Sequence, residues 1–511
     1  MRALTTLVLT TLMMSTSMLA QQSADIRRAV ATITPDDIRQ RIGKLADDSM
    51  MGRDTPSPGL EQAAAWIAAE FGRLGLEPAG DAGGYIQRYP LVQLQVDVVA
   101  SRVRLQGEDG WRFGRDVIHH RGATAGEGFT APVSFLAGTP RNASELADLP
   151  DMSDAVLIWQ VPAGRGGVPN LRMVGAALGQ LEENAPRAVI LLTNRAEAAW
   201  QQALAQMDDA PLTPAWRVRE QAPILEMREV SMEETLARFG VDLVAVRDGP
   251  FAVRRLSRMR MDLGVSLRAE VTAGAPNVAG LLRGSDPTLQ DEYLVFSAHM
   301  DHVGVGRPVD GDSIYNGADD DASGTAAIIE LAEAYATLET APRRSMIFLT
   351  VSGEEHGLWG SDYFAANSPV PVDQIVANLN ADMIGRNWKD TIVVIGKEHS
   401  DLGQTLNRVN NAHPELNMTA IDDIWPEERF YFRSDHFNFA RRGVPVLFFF
   451  SGTHPQYHRP SDEVELIDAE KESRIVQLMF YLGIDVANRA QRPQWDPTSY
   501  QQIVQPDLTG G

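Results

Sequence analysis

Short apolar runs, each followed by polar residues, alternate along this chain with longer amphipathic stretches. The run Tyr293–Ala298 ends at His299, and the run Ser345–Ser352 is followed by an acidic pair. Between these two runs lies an alanine-rich stretch, Thr325–Leu338, with the length and period of a helix. This order predicts a strand, a loop, a helix and a second strand, with acidic and imidazole groups just beyond the carboxyl ends of both strands.

The alternation continues towards the end of the chain. Further strands are predicted at Gln374–Met383, Thr391–Ile395 and Val444–Phe450, and a long amphipathic helix at Ala469–Arg489. Strands separated by helices indicate an α/β fold with a central, twisted, mostly parallel sheet flanked by helices. In such open sheets, ligands bind beyond the carboxyl ends of the strands.

Residues 123–261 have a different texture, with short β-rich runs between loops that contain Gly, Pro and Asn. We expect an inserted, separately folding β-rich α/β domain there. The main domain would then consist of an N-terminal part, residues 21–122, and a larger part, residues 262–492, which contains the candidate site. A Pro- and Gln-rich tail, residues 493–511, is expected to be loose.

Residues 1–20 contain one basic residue, Arg2, then an apolar run that ends in Ser17-Met18-Leu19-Ala20. This pattern is typical of a secretory signal peptide; an N-terminal membrane anchor is the alternative, for which the apolar run is short. We therefore expect an exported protein, either periplasmic or secreted. No later run is long and apolar enough to cross a bilayer, so no membrane span is expected in the mature chain.

Composition narrows the classes of function. The formal net charge is −22, and the acidic residues are spread along the chain. This charge argues against nucleic acid or an anionic membrane as a partner. The absence of cysteine excludes disulfides, thiolate metal ligands and a catalytic thiol. Composition indicates no particular oligomeric state.

Five candidate metal ligands lie in loops that follow or lead from predicted strands: His299, Asp320, Glu355, Asp382 and His458. Because parallel strands share one carboxyl edge, these residues can converge although they are far apart in sequence. Two imidazoles and three carboxylates suit two divalent ions of zinc type, with one carboxylate shared. Such a pair can hold a hydroxide and polarise a carbonyl, which is the two-metal arrangement for hydrolysis.

Two further residues are candidates for catalysis. Glu354 precedes Glu355 in a tight turn, where adjacent side chains point apart. If Glu355 binds a metal, Glu354 is placed to act as general base and later to protonate the leaving amine. Asp301, two residues after His299, is placed to accept a proton from that imidazole or to orient it.

Two assignments stay open at this point. Asp319 and Asp321 flank Asp320, so any of the three could be the shared ligand, and an acidic cluster before a helix also suits an N-cap. His454 lies near His458 and is its rival.

These motifs resemble those of the co-catalytic di-zinc aminopeptidase family, which includes bacterial leucyl-type aminopeptidases, glutamate carboxypeptidase and glutaminyl cyclase. The resemblance rests on these stretches: Leu45–Gly59, Ala298–His302, Gly317–Gly324, Ser352–Glu355, Asn380–Met383, Ser434–His436 and Tyr457-His458. It implies that Asp320 bridges two zinc ions, that His299 and Asp382 complete one, and that Glu355 and His458 complete the other. It also implies Glu354 as the base and a cis peptide bond after Asp320.

The resemblance implies an exported zinc aminopeptidase that acts on peptides with a free N-terminus, and it likens the insert to a protease-associated domain. A glutamate-type carboxypeptidase stays open, because cationic residues lie near the motifs: Arg429, Arg433 and Arg459. A glutaminyl cyclase and a receptor-like binder without activity are further alternatives. Trp425, Phe430 and Tyr431 are candidates for an apolar substrate wall.

Overall fold

The computed structural model describes residues 21, 23–138, 145, 149–161, 168–207, 211–218, 221–247, 249–272 and 274–505. The expected signal peptide, residues 1–20, lies outside the described residues. The chain divides into two compact units. The first comprises the chain up to Tyr89 and from Gly274 onwards, and the second is Pro90–Ala273.

Strands and helices are numbered in chain order through both units. The first unit contains these strands: β1 (Glu77–Pro78), β2 (Ile86–Tyr89), β14 (Ala275–Leu282), β15 (Tyr293–His299), β16 (Val305–Val309), β17 (Asp312–Ile314), β18 (Ser345–Val351), β19 (Ile375–Ala381), β20 (Thr391–Ile395), β21 (Thr419–Ile421) and β22 (Val446–Phe450). Its helices are α1 (Pro35–Leu45), α2 (Pro58–Arg73), α7 (Gly324–Ala336), α8 (Trp359–Ala366), α9 (Leu402–Ala412), α10 (His436–Ala440), α11 (Ala469–Asn488) and α12 (Pro497–Ile503).

The main sheet of this unit has the strand order β1-β14-β18-β15-β19-β22-β20-β21, and β2 also pairs with β14. The four central strands, β18, β15, β19 and β22, are parallel. On the flanks, β14 pairs antiparallel with β18, and β20 pairs antiparallel with β22. The sheet was expected to be mostly parallel, but it is mixed, because its outer strands pair antiparallel. The strands that lead to the candidate site do run in one direction.

The two faces of the sheet bury alternate residues of each strand. Phe296 of β15 is opposite Phe348 of β18, and their rings stack at 5.7 Å on the face covered by α1, α2, α7 and α11. Val295 points to the other face, where Phe364 of α8 and Phe439 of α10 pack. Both faces are apolar, which is why the central strands read as continuous hydrophobic runs.

Arg53 is one of two arginines, with Arg344, that are fully buried in the described part of the first unit. Its guanidinium donates to the carbonyl oxygens of Leu45, Met300, Asn316 and Gly317 at 2.7–3.0 Å. Burial lowers the pKa of Arg53 to about 10, which still leaves it charged at neutral pH. The side chain therefore ties the turn that follows α1 to the two loops around the candidate site.

We expect Arg53→Met to lower the free energy of unfolding by about 3–5 kcal/mol, because it leaves four buried carbonyls without donors. Arg28→Met is the matched control: Arg28 is 58% exposed and pairs with Glu339 on the surface, so its loss should cost less than about 1 kcal/mol. Denaturant unfolding of both variants checks the difference. Equal midpoints for the two variants would contradict the anchoring role of Arg53.

The second unit is built mainly of strands. They are β3 (Leu91–Val96), β4 (Arg102–Leu105), β5 (Gly110–Trp111), β6 (Ile118–Arg121), β7 (Phe129–Ala137), β8 (Val156–Gln160), β9 (Ala188–Thr193), β10 (Leu212–Pro214), β11 (Ile224–Arg228), β12 (Ala252–Gly264) and β13 (Leu267–Val271). Its helices are α3 (Leu171–Gly179), α4 (Glu197–Ala205), α5 (Glu229–Arg238) and α6 (Leu243–Arg247).

The second unit is wider than the insert expected at residues 123–261. Strand β3 pairs with β13, and β4 pairs with β12, so both ends of the expected insert are extended by strands that pair with each other. These pairs join residues about 160–180 positions apart in sequence, which no local pattern can indicate. The N-terminal part of the main domain therefore ends at Tyr89 and not at residue 122.

The tail expected to be loose is ordered up to residue 505. Helix α12 is capped by Asp496, whose side chain accepts from the amide of Ser499. The indole of Trp495 donates to the carbonyl of Gly443 at 2.9 Å. Residues 506–511 of the expected tail lie outside the described residues. Within the described part of the chain, no helix has both the length and the apolar character needed to cross a bilayer.

Candidate metal centre

The candidate ligands meet at the carboxyl edge of the parallel strands. His299 is the last residue of β15, Asp382 directly follows β19, and Glu355 lies in the turn after β18. Asp320 lies in the wide turn Ala318–Ser323 before α7, and His458 in the loop after β22. The shared strand direction thus brings together all five residues expected as ligands.

One group of potential ligands consists of His299, Asp320 and Asp382, all three buried. Nε2 of His299 lies 3.3 Å from Oδ1 of Asp320 and 3.7 Å from Oδ1 of Asp382. The hydroxyl of Ser434 donates to the other oxygen of Asp382 at 2.8 Å. This bond leaves one oxygen of Asp382 facing the group.

A second group shares Asp320 and consists of His302, Asp320, Glu355 and His458. Nε2 of His458 lies 3.1 Å from Oδ2 of Asp320 and 3.1 Å from Oε2 of Glu355. Four buried atoms here lack a hydrogen-bond partner among the described residues: His302 Nδ1, Asp320 Oδ2, Glu355 Oε1 and His458 Nε2. Unpartnered buried polar atoms are costly unless an ion satisfies them, so both the donor set and its orphaned atoms fit a divalent cation of zinc type.

The structure separates the roles of the three consecutive aspartates. Asp320 belongs to both ligand groups, and the peptide bond that follows it is cis. Asp321 accepts from the amides of His299, Gly324 and Met383 at 2.9–3.2 Å, and so ties three of the site's segments together.

Asp319 faces away from the ligand groups. It accepts from the amide of Gly385 at 2.7 Å and lies 3.3 Å from His454. His454 belongs to neither ligand group among the described residues, which favours its rival, His458. Asp462 accepts from the amides of Asp319 and Asp320 at 3.0 and 3.2 Å, and so positions the shared ligand.

Protons and metal ions compete for this site. Burial alone would raise the pKa of Asp320, but His302, His299 and His458 hold it well below its ordinary value. Burial opposes the charged form of His458, yet Asp320 and Glu355 raise its pKa to about 10. In the metal-free protein, this imidazole is therefore protonated at neutral pH. An ion that binds here must displace protons, so its affinity falls as the pH falls.

Glu354 lines a pocket together with His299, Asp320 and Asp382. It belongs to neither ligand group. Burial raises the pKa of its carboxyl group well above the ordinary value; His299 opposes this shift, and Asp435, Asp382 and Glu355 add to it. A carboxyl group with a raised pKa, beside the ligands but outside them, is suited to proton transfer.

Most of the remaining lining of this pocket is aromatic, and Met383, Ser434 and Thr453 also contribute to it. Phe430, Phe448, Phe450 and Tyr457 line it, and so does Arg433. Of the three aromatic residues expected to form a substrate wall, Phe430 lines the pocket. Tyr431 is instead buried against His436.

Asp301 contacts the turn after β18 more closely than the His299 ring. Its Oδ2 accepts from the amide of Gly353 at 2.8 Å and from the hydroxyl of Thr55 at 3.0 Å. Its Oδ1 lies 3.7 Å from Nδ1 of His299, whereas the backbone carbonyl of Asp301 lies 3.1 Å from that nitrogen. Asp301 thus fixes the backbone that presents Glu354, and its carbonyl orients the imidazole.

We expect Asp301→Asn to lower kcat by about 10–100-fold, the usual cost of losing a partner outside the ligand shell. The NH2 group of an asparagine side chain is a donor, and it would face the backbone N–H groups of Gly353 and Glu354, which are also donors. The turn that contains these two residues would therefore be displaced. KM should change little, because the pocket wall is untouched. Steady-state kinetics check this split; a change confined to KM would contradict it.

Three residues of the site are not identified as site residues by the sequence pattern alone. His302 follows His299 and Asp301 within one motif, and its residue type is the available signal. Ser434 belongs to a recurrent motif, but its contact with Asp382 appears only in the folded chain. Asp462 had no signal at all, because it reaches the site only through the folded loop after β22.

Comparisons with known proteins relate part of this chain to zinc peptidases. Residues 277–483 match Peptidase family M28. A probable zinc metalloprotease of Leptosphaeria maculans is 29% identical over 199 residues, which is 34% of this chain and 45% of that protein. Aminopeptidase YwaD of Bacillus subtilis is 27% identical over 241 residues, 45% of this chain and 49% of that protein. The chain thus spans less than half the length of each of these curated relatives.

One solved structure supports the fold over most of the chain. The aminopeptidase from Aneurinibacillus sp. strain AM-1 covers 92% of this chain and 98% of its own, with a TM-score of 0.50 and 17% identity. At this identity the likeness shows a common mixed α/β fold. Residues 277–483 are therefore similar to peptidase family M28, and the relatives that the chain matches include a probable zinc metalloprotease and an aminopeptidase.

Proposed function

We propose that this protein is an exported zinc-dependent aminopeptidase that removes N-terminal residues from peptides. The observation that supports it most is the shared aspartate. Asp320 lies between two groups of potential ligands, and Glu354 lines the same pocket as one of them. Export is supported by the apolar pattern of residues 1–20.

The chemistry is divided between the ions and the chain. Two zinc ions, when bound, would polarise the scissile carbonyl and acidify the attacking water. His299, Asp320, Asp382, Glu355 and His458 would hold the two ions. Glu354 would take the proton from the water and deliver it to the leaving amine.

The free amino group is the feature that makes the substrate of an aminopeptidase cationic. The pocket presents the carboxylates of Asp320, Glu354 and Asp382. A carboxylate oxygen among them that is not bound to an ion can accept a hydrogen bond from an ammonium group, which a substrate carboxylate cannot donate. The ring faces of Phe430, Phe448 and Phe450 would contact the side chain of the first residue.

A carboxypeptidase is the second candidate, and Arg433 is the observation in its favour. Of the three arginines near the motifs, this one lines the pocket. Its guanidinium lies over the ring of Phe430 at 4.8 Å and 3.5 Å from Glu428. A substrate carboxylate would have to compete with Glu428, which makes this candidate weaker.

Two further alternatives fit less well. A cyclase of this family needs one zinc ion, whereas the described residues contain two groups of potential ligands. A receptor-like binder has no need for the proton-transferring carboxyl group of Glu354.

The second unit would be the protease-associated domain; its parallel strands β7, β8, β9 and β11 support that proposal.

Hydrolysis of a panel of amino-acid p-nitroanilides, N-acetylated peptides and peptides with a C-terminal glutamate tests the proposal. We expect cleavage of substrates with a free amine only, loss of activity with chelator and recovery with zinc. Cleavage that ignores acetylation and requires a free C-terminal carboxylate would replace the proposal with a carboxypeptidase. No cleavage of any substrate by the zinc-loaded protein would contradict both.

A further inference from the structure

His302 is a buried imidazole for which the family resemblance provides no role. It follows the strand-end ligand His299 by three residues, and its side chain is fully buried. Its Nδ1 lies 2.8 Å from Oε1 of Glu355 and 3.6 Å from Oδ2 of Asp320. Neither ring nitrogen has a hydrogen-bond partner among the described residues.

The contact with Glu355 has the distance of a hydrogen bond but not its direction. Both Nδ1 of His302 and Oε1 of Glu355 lack a partner at an acceptable angle within the described chain, although they are only 2.8 Å apart. Two atoms that lie close together and are not aimed at each other are arranged as two ligands of one ion would be.

The spacing of the whole group agrees with that arrangement. Four ligands placed tetrahedrally at about 2.0–2.2 Å from zinc are roughly 3.3 Å apart. The measured separations from Asp320 and Glu355 to the imidazoles of His302 and His458 are 2.8–3.6 Å. All four ligand atoms lie within 4.8 Å of one another.

The position of the His302 ring is fixed by its surroundings. Gly317 has φ +56°, and a Cβ there would lie 2.5 Å from Cγ of His302, so the ring packs directly on the backbone of that glycine. The amide of His302 donates to the carbonyl of Arg53 at 3.3 Å. A buried ring in such close contact cannot turn away from Asp320 and Glu355 without moving the loop.

We propose that His302 is a fourth protein ligand, so that the two metal positions are unequal. Asp320, Glu355, His458 and His302 would hold one ion with four protein ligands. His299, Asp320 and Asp382 would leave the other ion an open position. The pocket supports this division, because it is lined by these three residues and not by His302, Glu355 or His458.

Two consequences follow, and both rest on the zinc-binding part of the proposed function. The four-ligand position fills first and releases its ion last. Substrate would approach from the side of the three-ligand position, beside Glu354.

A crystal structure of the zinc-loaded wild-type protein, with anomalous data at the zinc edge, is the direct test, and it needs no variant that could fail to fold. We expect zinc about 2.0–2.1 Å from Nδ1 of His302. Both positions filled, with each ring nitrogen of His302 more than about 3 Å from zinc, would overturn this inference and leave the proposed function intact. A chain that binds no zinc would overturn both.

Metal competition with a chromophoric chelator provides a second test in solution. His302→Ala should weaken the tighter site by about 100-fold or more. Weakening alone does not distinguish a ligand from a hydrogen-bond donor to Glu355, since loss of such a donor costs about 10–100-fold. Two further readouts do distinguish them: added imidazole should restore the affinity of His302→Ala, and His302→Gln, which keeps a donor, should remain as weak as His302→Ala.

His399→Ala is the matched control. His399 is an imidazole of the same unit that contacts Ser499 and Tyr431 and belongs to neither ligand group. Its loss should leave both zinc affinities unchanged. Retention of wild-type affinity by His302→Ala, with its fold verified by circular dichroism, would overturn the inference.

Discussion

Glu354→Gln is expected to lower kcat for peptide hydrolysis by about 10³–10⁴-fold, with both zinc ions still bound. The amide is nearly the same size as the carboxylate but cannot take a proton from water. Glu354 lies outside both ligand groups, so its loss removes proton transfer and leaves metal binding intact. The measurements are kcat, KM and the zinc content of the purified variant.

The adjacent residue provides the contrasting variant. Glu355→Gln removes a potential ligand, so zinc content should fall there and activity with it. Excess zinc should partly rescue Glu355→Gln and should not rescue Glu354→Gln. If Glu354→Gln kept activity within tenfold of the wild type, the role proposed for Glu354 would be wrong.

Asp320→Ala is expected to weaken zinc at both positions at once. Its Oδ1 lies 3.3 Å from Nε2 of His299 in one group, and its Oδ2 lies 3.1 Å from Nε2 of His458 in the other. Removal of the one residue common to both groups also removes the negative charge that separates the two cations. We expect affinity losses on the order of 100-fold or more at each position, and no measurable hydrolysis.

Asp382→Ala is the control for this prediction. Asp382 belongs to one ligand group only, so this variant should keep one zinc ion per chain. Isothermal titration with zinc distinguishes the two variants. Retention of one tight site by Asp320→Ala would contradict the shared-ligand arrangement.

The ends of strands were the part of the site that could be predicted from sequence. His299 and Asp382 lie at the ends of apolar runs, and one strand direction brings such ends together whatever the loops do. Asp320 could not be separated from Asp319 and Asp321 by pattern, because all three suit the start of a helix. Only the folded contacts of Asp321 with Met383 and of Asp319 with Gly385 distinguish them.

Long-range pairing is the part that sequence pattern could not provide. The second unit begins at Pro90 because β3 and β4 pair with strands that lie beyond residue 250. Arg53 is a charged residue in a turn, a sequence context that predicts exposure to solvent. In the folded chain it is fully buried and donates to four carbonyl oxygens. Both features depend on contacts between segments that are remote in sequence.

We propose that hydrolysis by this chain requires two ions held around Asp320. The most direct test is a titration of the metal-free protein with zinc, with cleavage of a free-amine substrate and of its N-acetylated form followed at each step. We predict that activity on the free-amine substrate rises mainly with the second equivalent of zinc per chain, while the acetylated substrate stays intact. Full activity at one equivalent, or equal cleavage of the acetylated substrate, would contradict the account.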